Sequence, residues 1–123
     1  MTEQEQILYL ANIFHVARAD GRVEVIEDGV AEAMAAGIGA GYLETRKALD
    51  LSLEKDFTVC LPGRFSERIR NLEDMLAMAY ADADLHSEEK AAVIAFAKQV
   101  GVTQEQLRTI QGEVKKRVKK VRG

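Results

Sequence analysis

"ARADGRVEVIED" (residues 17–28) and "AYADADLHSEEK" (residues 79–90) are two versions of one turn. Each carries an Ala-Asp pair, Ala19-Asp20 and Ala81-Asp82, and a glutamate seven residues after the aspartate, Glu27 and Glu89. The two stretches are 62 positions apart, and the register holds on both sides of the turn. Leu10 meets Leu72, Ile13 meets Met75, Phe14 meets Leu76 and Ala17 meets Ala79, and further on Ile38-Gly39 meets Val100-Gly101. A gapless self-match across helix, turn and helix is the signature of one supersecondary unit used twice. It predicts an all-α bundle of about six to seven helices, built from two duplicated helical hairpins. Repeat one covers about 7–43 and repeat two about 69–107. At 123 residues the chain is read as a single domain, 1–123.

Local signals place the helices. Thr2 and Glu5 have capping-box spacing, so a helix should begin near Glu3. Ile7, Leu10, Ala11, Phe14 and Ala17 then recur at steps of three and four, which makes one apolar stripe. A second helix is expected over about Val25–Ala36, closed by the glycines at 37, 39 and 41. A third should run from about Tyr42 to Lys55, carrying Leu43, Ala48, Leu49 and Leu53. "DFTVCLPG" (56–63) lacks helical periodicity and reads as an extended midpoint connection broken by Pro62 and Gly63. The fourth helix should cover about Phe65–Ala81, with Ile69, Leu72, Leu76 and Ala79 on one face. Ser87 suits the N-cap of a fifth helix reaching Val100, with Val93, Phe96, Ala97 and Val100 inward. Thr103 and Gln106 form another capping box, opening a basic amphipathic helix over 103–121.

The paired turns and the stretch "QVGVTQEQL" (99–107) resemble the TerB-like family, named for tellurite resistance. The resemblance covers about Leu10–Leu43 and Leu72–Leu107 and rests on the duplicated Ala-Asp turn with its following acid. It extends to the helical domain of DjlA-type co-chaperones. It implies a compact helical domain linked to stress responses and proposed to bind divalent cations, with no established enzyme activity. The copies also differ: Ala83 and Asp84 stand where the first has Gly21 and Arg22.

The acids of these turns have two readings. As helix-terminal groups, Asp20 and Asp82 accept hydrogen bonds from free backbone N–H groups, and Glu27 and Glu89 complement the next helix dipole. As ligands, Asp82, Asp84, Glu88 and Glu89, with Asp20 and Glu27 in the other copy, form candidate sites for calcium, magnesium or manganese. Hard cations take several converging oxygens. The pattern is not an EF-hand: counted from Asp82, the glycine position falls on Ser87 and the bidentate acid on Val93. Asp82 and Asp84 sit close together near the C-terminus of a predicted helix, where negative charge is disfavoured and calls for a partner. His86 would add a nitrogen donor for a transition metal.

Other chemistry finds less footing. Cys60 lies in an apolar context and reads as an inert thiol, and His15 reads as a partly buried histidine beside the first stripe. No catalytic residue is assigned, and no enzyme activity is expected. The lone cysteine, the absence of a signal-peptide pattern at "MTEQEQILYLANIF" and the lack of a long apolar run predict a cytoplasmic protein. The net charge of −3 is uneven: residues 115–123 hold six basic side chains and no acids, which leaves −9 on the rest. That tail fits dipole compensation at a helix end, or contact with an anionic inner-membrane surface or an acidic protein. Residues 97–120 also have the look of a helix-turn-helix, with Gln104, Gln106, Arg108, Gln111 and Lys115 on its second helix. The acidic body opposes phosphate, so nucleic acid is the weaker alternative. The sequence therefore points to a non-enzymatic interaction domain in a stress response. A divalent-cation-dependent regulatory module is the alternative.

Overall fold

Thr2 opens the first helix as its spacing to Glu5 predicts. In a computed structural model of the chain, the Glu5 N–H donates to Thr2 Oγ1 at 3.1 Å and the Gln6 N–H to the Thr2 carbonyl at 2.9 Å. The structure describes the backbone of residues 1–18, 30–79 and 87–122, and the side chains of 1–16, 32–78 and 90–117. Among the described residues the fold is all-α, with six helices: α1 (Glu3–Arg18), α2 (Val30–Gly37), α3 (Tyr42–Ser52), α4 (Phe65–Ala79), α5 (Ser87–Val100) and α6 (Gln104–Arg122). The predicted start of the second helix and the end of the fourth lie outside the described residues.

The first helix carries more than the single stripe its periodicity suggested. Tyr9, Leu10, Ala11, Asn12, Ile13 and Phe14 are all fully buried. Six consecutive residues span more than one helical turn, so α1 is covered all the way round. It packs chiefly on α3 and α4, and also meets α5 and α2. Leu72, Met75, Leu76 and Met78 from α4, Val93, Phe96 and Ala97 from α5, and Leu107 and Val114 from α6 pack into the same core. Each large apolar side chain buried this way contributes roughly 1.5–3 kcal/mol before chain entropy is subtracted.

The third helix ends earlier than predicted, at Ser52 rather than Lys55. The Ser52 hydroxyl donates to the Leu49 carbonyl at 2.7 Å, and the Leu53 and Glu54 N–H groups turn back to Asp50 and Leu51. These tighter bonds close the last turn. Leu53 and Leu43 are 55% and 67% exposed, so only Ala48 and Leu49 of that helix's predicted apolar set pack inward. The connection 57–62 lies against the core without helical structure, with Val59 buried and Phe57 and Leu61 half-buried.

The 62-residue spacing recurs in the structure's landmarks. It separates the starts of α1 and α4 (Glu3, Phe65) and of α3 and α6 (Tyr42, Gln104). It also separates Gly39 and Gly101, with φ of 76° and 92°. Both glycines terminate a helix in the same way. Gly39 N–H donates to Ala36 O and Ala40 N–H to Ala35 O, while Gly101 N–H donates to Lys98 O and Val102 N–H to Ala97 O. This is the Schellman arrangement, which needs a left-handed residue at its hinge. Side chains complete the end of α2: Gln6 Nε2 donates to Ile38 O at 3.0 Å and an Arg70 amino group to Gly37 O at 2.8 Å. At the start of α6 the predicted capping box is complete. Gln106 N–H donates to Thr103 Oγ1 at 3.1 Å and Thr103 N–H to Gln106 Oε1 at 3.0 Å.

Two glycine substitutions separate backbone strain from packing. A Cβ at Gly101 or at Gly112, inside α6, meets nothing within 4 Å. Gly101→Ala is expected to destabilise by roughly 1–2 kcal/mol because of its left-handed backbone. Gly112→Ala should stabilise by about 0.5–1 kcal/mol by restoring helix propensity. Urea unfolding midpoints at constant m-value read both; shifts of the same sign would contradict the assigned backbone geometry.

Candidate functional site

The acids singled out from the sequence divide by position. Asp20, Glu27, Asp82 and Asp84 lie outside the described residues, as does His86. Glu88 and Glu89 occupy the first turn of α5, where the helix dipole favours negative charge, and their side chains lie outside the description. Among the described residues, no three His, Cys, Asp or Glu side chains gather in a way that could hold a metal ion. Two other carboxylates do meet. Glu5 and Glu67, in the first turns of α1 and α4, both crowd the space where a Cβ on Gly63 would stand. Glu67 also accepts from the Arg64 N–H at 3.2 Å, so it braces the start of α4.

The polar centre of the molecule is one that the sequence reading did not single out. Asn12 and Asn71 are both fully buried, on α1 and α4. The Asn12 amide nitrogen donates to the Cys60 carbonyl at 2.7 Å and to Asn71 Oδ1 at 2.8 Å. Asn12 Oδ1 accepts from the Cys60 N–H at 3.0 Å. The side chain thus pairs with one residue of the 57–62 connection much as a neighbouring strand would. Asn71 in turn donates to the Tyr9 carbonyl at 3.0 Å, and the Tyr9 hydroxyl donates to Asp74 Oδ2 at 2.5 Å. Buried polar groups are costly unless satisfied in this way. The signal was present in "YLANIF" (9–14) and "NLEDML" (71–76). Tyr9 and Asn71, and Asn12 and Asp74, are each 62 positions apart, so the 62-residue shift exchanges the bridges Tyr9–Asp74 and Asn12–Asn71.

The electrostatics follow from burial. Burial pushes the Tyr9 hydroxyl far above its usual range, reinforced by the Asp74 charge and by the hydrogen bond to it. Burial also raises Asp74, against the lowering effects of the Tyr9 hydrogen bond and of Arg70 and Arg117. His15 is half-buried, its ring meeting Phe57 edge-on at 5.5 Å between centroids, and burial lowers its pKa. Burial raises the Cys60 thiol, which disfavours the reactive thiolate.

Three surface grooves are formed among the described residues. One of about 360 Å³ lies between α2 and α3, edged by Glu32, Tyr42 and Arg46. Another of about 340 Å³ lies between α5 and α6, edged by Lys90, Lys98 and Arg108. The third, of about 430 Å³, holds Phe65, Ile69 and Ile110. These grooves bear on the helix-turn-helix reading. Gln104, Arg108 and Gln111 line the α5–α6 groove, while Gln106 is engaged in the helix cap. No described helix is long and apolar enough to cross a membrane.

Comparison with protein-family models, curated proteins and solved structures finds no match to this chain.

The buried network makes two predictions. Asn12→Ala strands the Cys60 peptide and Asn71, and is expected to cost roughly 3 kcal/mol in denaturant unfolding; a loss below that of a surface control would contradict it. The second concerns pH. Because burial raises Asp74, the stability tied to its protonated form is complete below the usual 3.8 and is lost as pH rises through the raised pKa. Asp74→Asn keeps an acceptor for Tyr9 and removes that titration, so its stability should vary less with pH above 3.8 than the parent's. Tyr9 acts in the alkaline range: its contribution is complete below pH 10.0 and is lost above it, where an unfolded tyrosine ionises. Tyr9→Phe should flatten that alkaline fall.

Proposed function

We propose that this protein is a non-enzymatic interaction domain that binds a partner through its surface grooves. The observation that carries the reading is the separation of its reactive groups from its grooves. Among the described residues, the side chains whose proton affinity is shifted, Tyr9, Asp74, His15 and Cys60, are shifted chiefly by burial. None of the four lines the three grooves. A catalytic cleft brings such groups to its wall. Here the walls carry exposed aromatic and charged side chains instead: Tyr42, 80% exposed, with Arg46 in the first groove, Arg108 in the second, and Phe65, 63% exposed, in the third. Exposed aromatic and arginine side chains are typical anchors of protein interfaces. The stress-response setting rests on the TerB-like resemblance of the paired turns alone. The alternative of a cation-dependent module rests on the acids of those turns, with Asp84, His86 and Glu88 distinguishing the second copy.

A photo-crosslinking side chain placed singly at Tyr42, Phe65 and Arg108 in the full chain tests the interaction reading in cells. A discrete adduct at one or more positions is expected; no adduct at any of them counts against the reading. Calorimetry on chelator-stripped protein addresses the alternative. Saturable heat with calcium, magnesium or manganese, lost in Asp84→Asn, would move the assignment to a cation-dependent module.

A further inference from the structure

The grooves between α2 and α3 and between α5 and α6 occupy matching places in the two halves, because their linings follow the 62-residue register. Ala35, Ala40 and Arg46 of the first correspond to Ala97, Val102 and Arg108 of the second. The shape is shared but the chemistry is not. In the first groove Glu32 faces the same space as Arg46, and Asp50 pairs with Arg46 at 3.6 Å. In the second, the positions of those two acids hold Ile94 and Gly112. Arg108 is thereby left without either acid that balances its counterpart. Lys90 and Lys98 add two more cations at positions where the first half has Asp28 and Ala36. No acidic side chain among the described residues lines this groove.

The floor changes in the opposite sense. Ile94, Val102 and Leu107 replace Glu32, Ala40 and Thr45. One groove is therefore mixed in charge, and the other is apolar at its base, with Gln104 and Gln111 on its rim and only cations among the charged side chains described there. This rim stands out on a chain whose residues 1–114 carry a net −9.

We infer that the α5–α6 groove docks an acidic amphipathic helix of a partner protein. The inference rests on the interaction reading above and names the partner's chemistry. Apolar side chains at helical spacing would enter over Ile94, Val102 and Leu107, as in other helix-in-groove complexes. Flanking carboxylates would meet Lys90, Lys98 and Arg108, which set orientation and speed encounter. Nucleic acid fits less well. Among the described residues no aromatic side chain lines the groove to stack a base, and although Gln104 and Gln111 flank its aliphatic floor, the net −9 of residues 1–114 opposes phosphate.

The test is a titration of the full-length, isotope-labelled chain with a fluorescent peptide helix. The peptide has leucine at every third or fourth position and glutamate on the flanks. Saturable anisotropy is expected, with amide shifts centred on residues 90–111. Affinity should fall about tenfold or more in Lys90→Gln/Lys98→Gln/Arg108→Gln, and with a peptide carrying lysine for glutamate. A thermal melt matching the parent's shows that the triple variant is folded. Should it not match, the single variant Arg108→Gln carries the same comparison. No saturation at millimolar peptide would overturn the inference, as would binding indifferent to the substitutions. Shifts centred on the Glu32–Arg46 groove would also overturn it, yet leave the interaction reading standing. Equal displacement of the peptide by single-stranded DNA would reassign the groove to nucleic acid. Loss of every cellular crosslink is the separate result that removes the interaction reading itself.

Discussion

The Asn12 carboxamide is the constraint on which the rest of the arrangement depends. It holds both backbone polar groups of Cys60 while donating to Asn71. One side chain thereby joins α1, α4 and the irregular segment between the two halves. That segment has no helix to absorb its peptide groups, and an unmet buried peptide costs about as much as a lost hydrogen bond. Asn12 solves the problem by acting as a local strand edge. Its position also helps α1 to be covered on every side: Asn12 meets the Cys60 backbone and Asn71, Tyr9 meets Asp74, and apolar side chains cover the rest.

The same register that relates the helices relates the bridges across the centre. Tyr9–Asp74 and Asn12–Asn71 join positions that exchange under a 62-residue shift. The pairs are chemically different, one a phenol on a carboxylate and the other amide on amide. A scaffold with matching halves therefore has an asymmetric interior, and the asymmetry extends to the grooves. The Glu3–Lys47 ion pair at 3.1 Å joins α1 to α3, while Phe65 and Thr109 hold the matching positions and line the third groove. Similar frames thus carry different surfaces.

Much of the architecture was legible locally. The caps at Thr2 and Thr103, the hinge glycines at 39 and 101, and the inward positions of Leu72, Leu76, Val93 and Phe96 follow from spacing alone. These features depend on residues within a turn of one another. The third helix was overextended because "LSLEKD" (51–56) has good helix formers, and nothing in it announces that Ser52 will bond back to Leu49. Leu43 and Leu53 were misread for a related reason: an apolar residue on a helix is not bound to face the core, since much of any protein surface is apolar. The polar centre went unremarked because a mid-helix asparagine looks like an ordinary weak helix residue until its partners, 48 and 59 residues away, are brought to it.

What the sequence determined by itself is the helical class, the 62-residue recurrence and the terminal chemistry of individual helices, because backbone capping and 3.6-residue periodicity are short-range effects. What only the tertiary structure decided is which helix lies at the centre, which polar side chains pair there, and how two matching grooves differ in the charges described along them. Those depend on groups far apart in the chain meeting in one place, and on the cost of leaving any buried polar atom without a partner when they do.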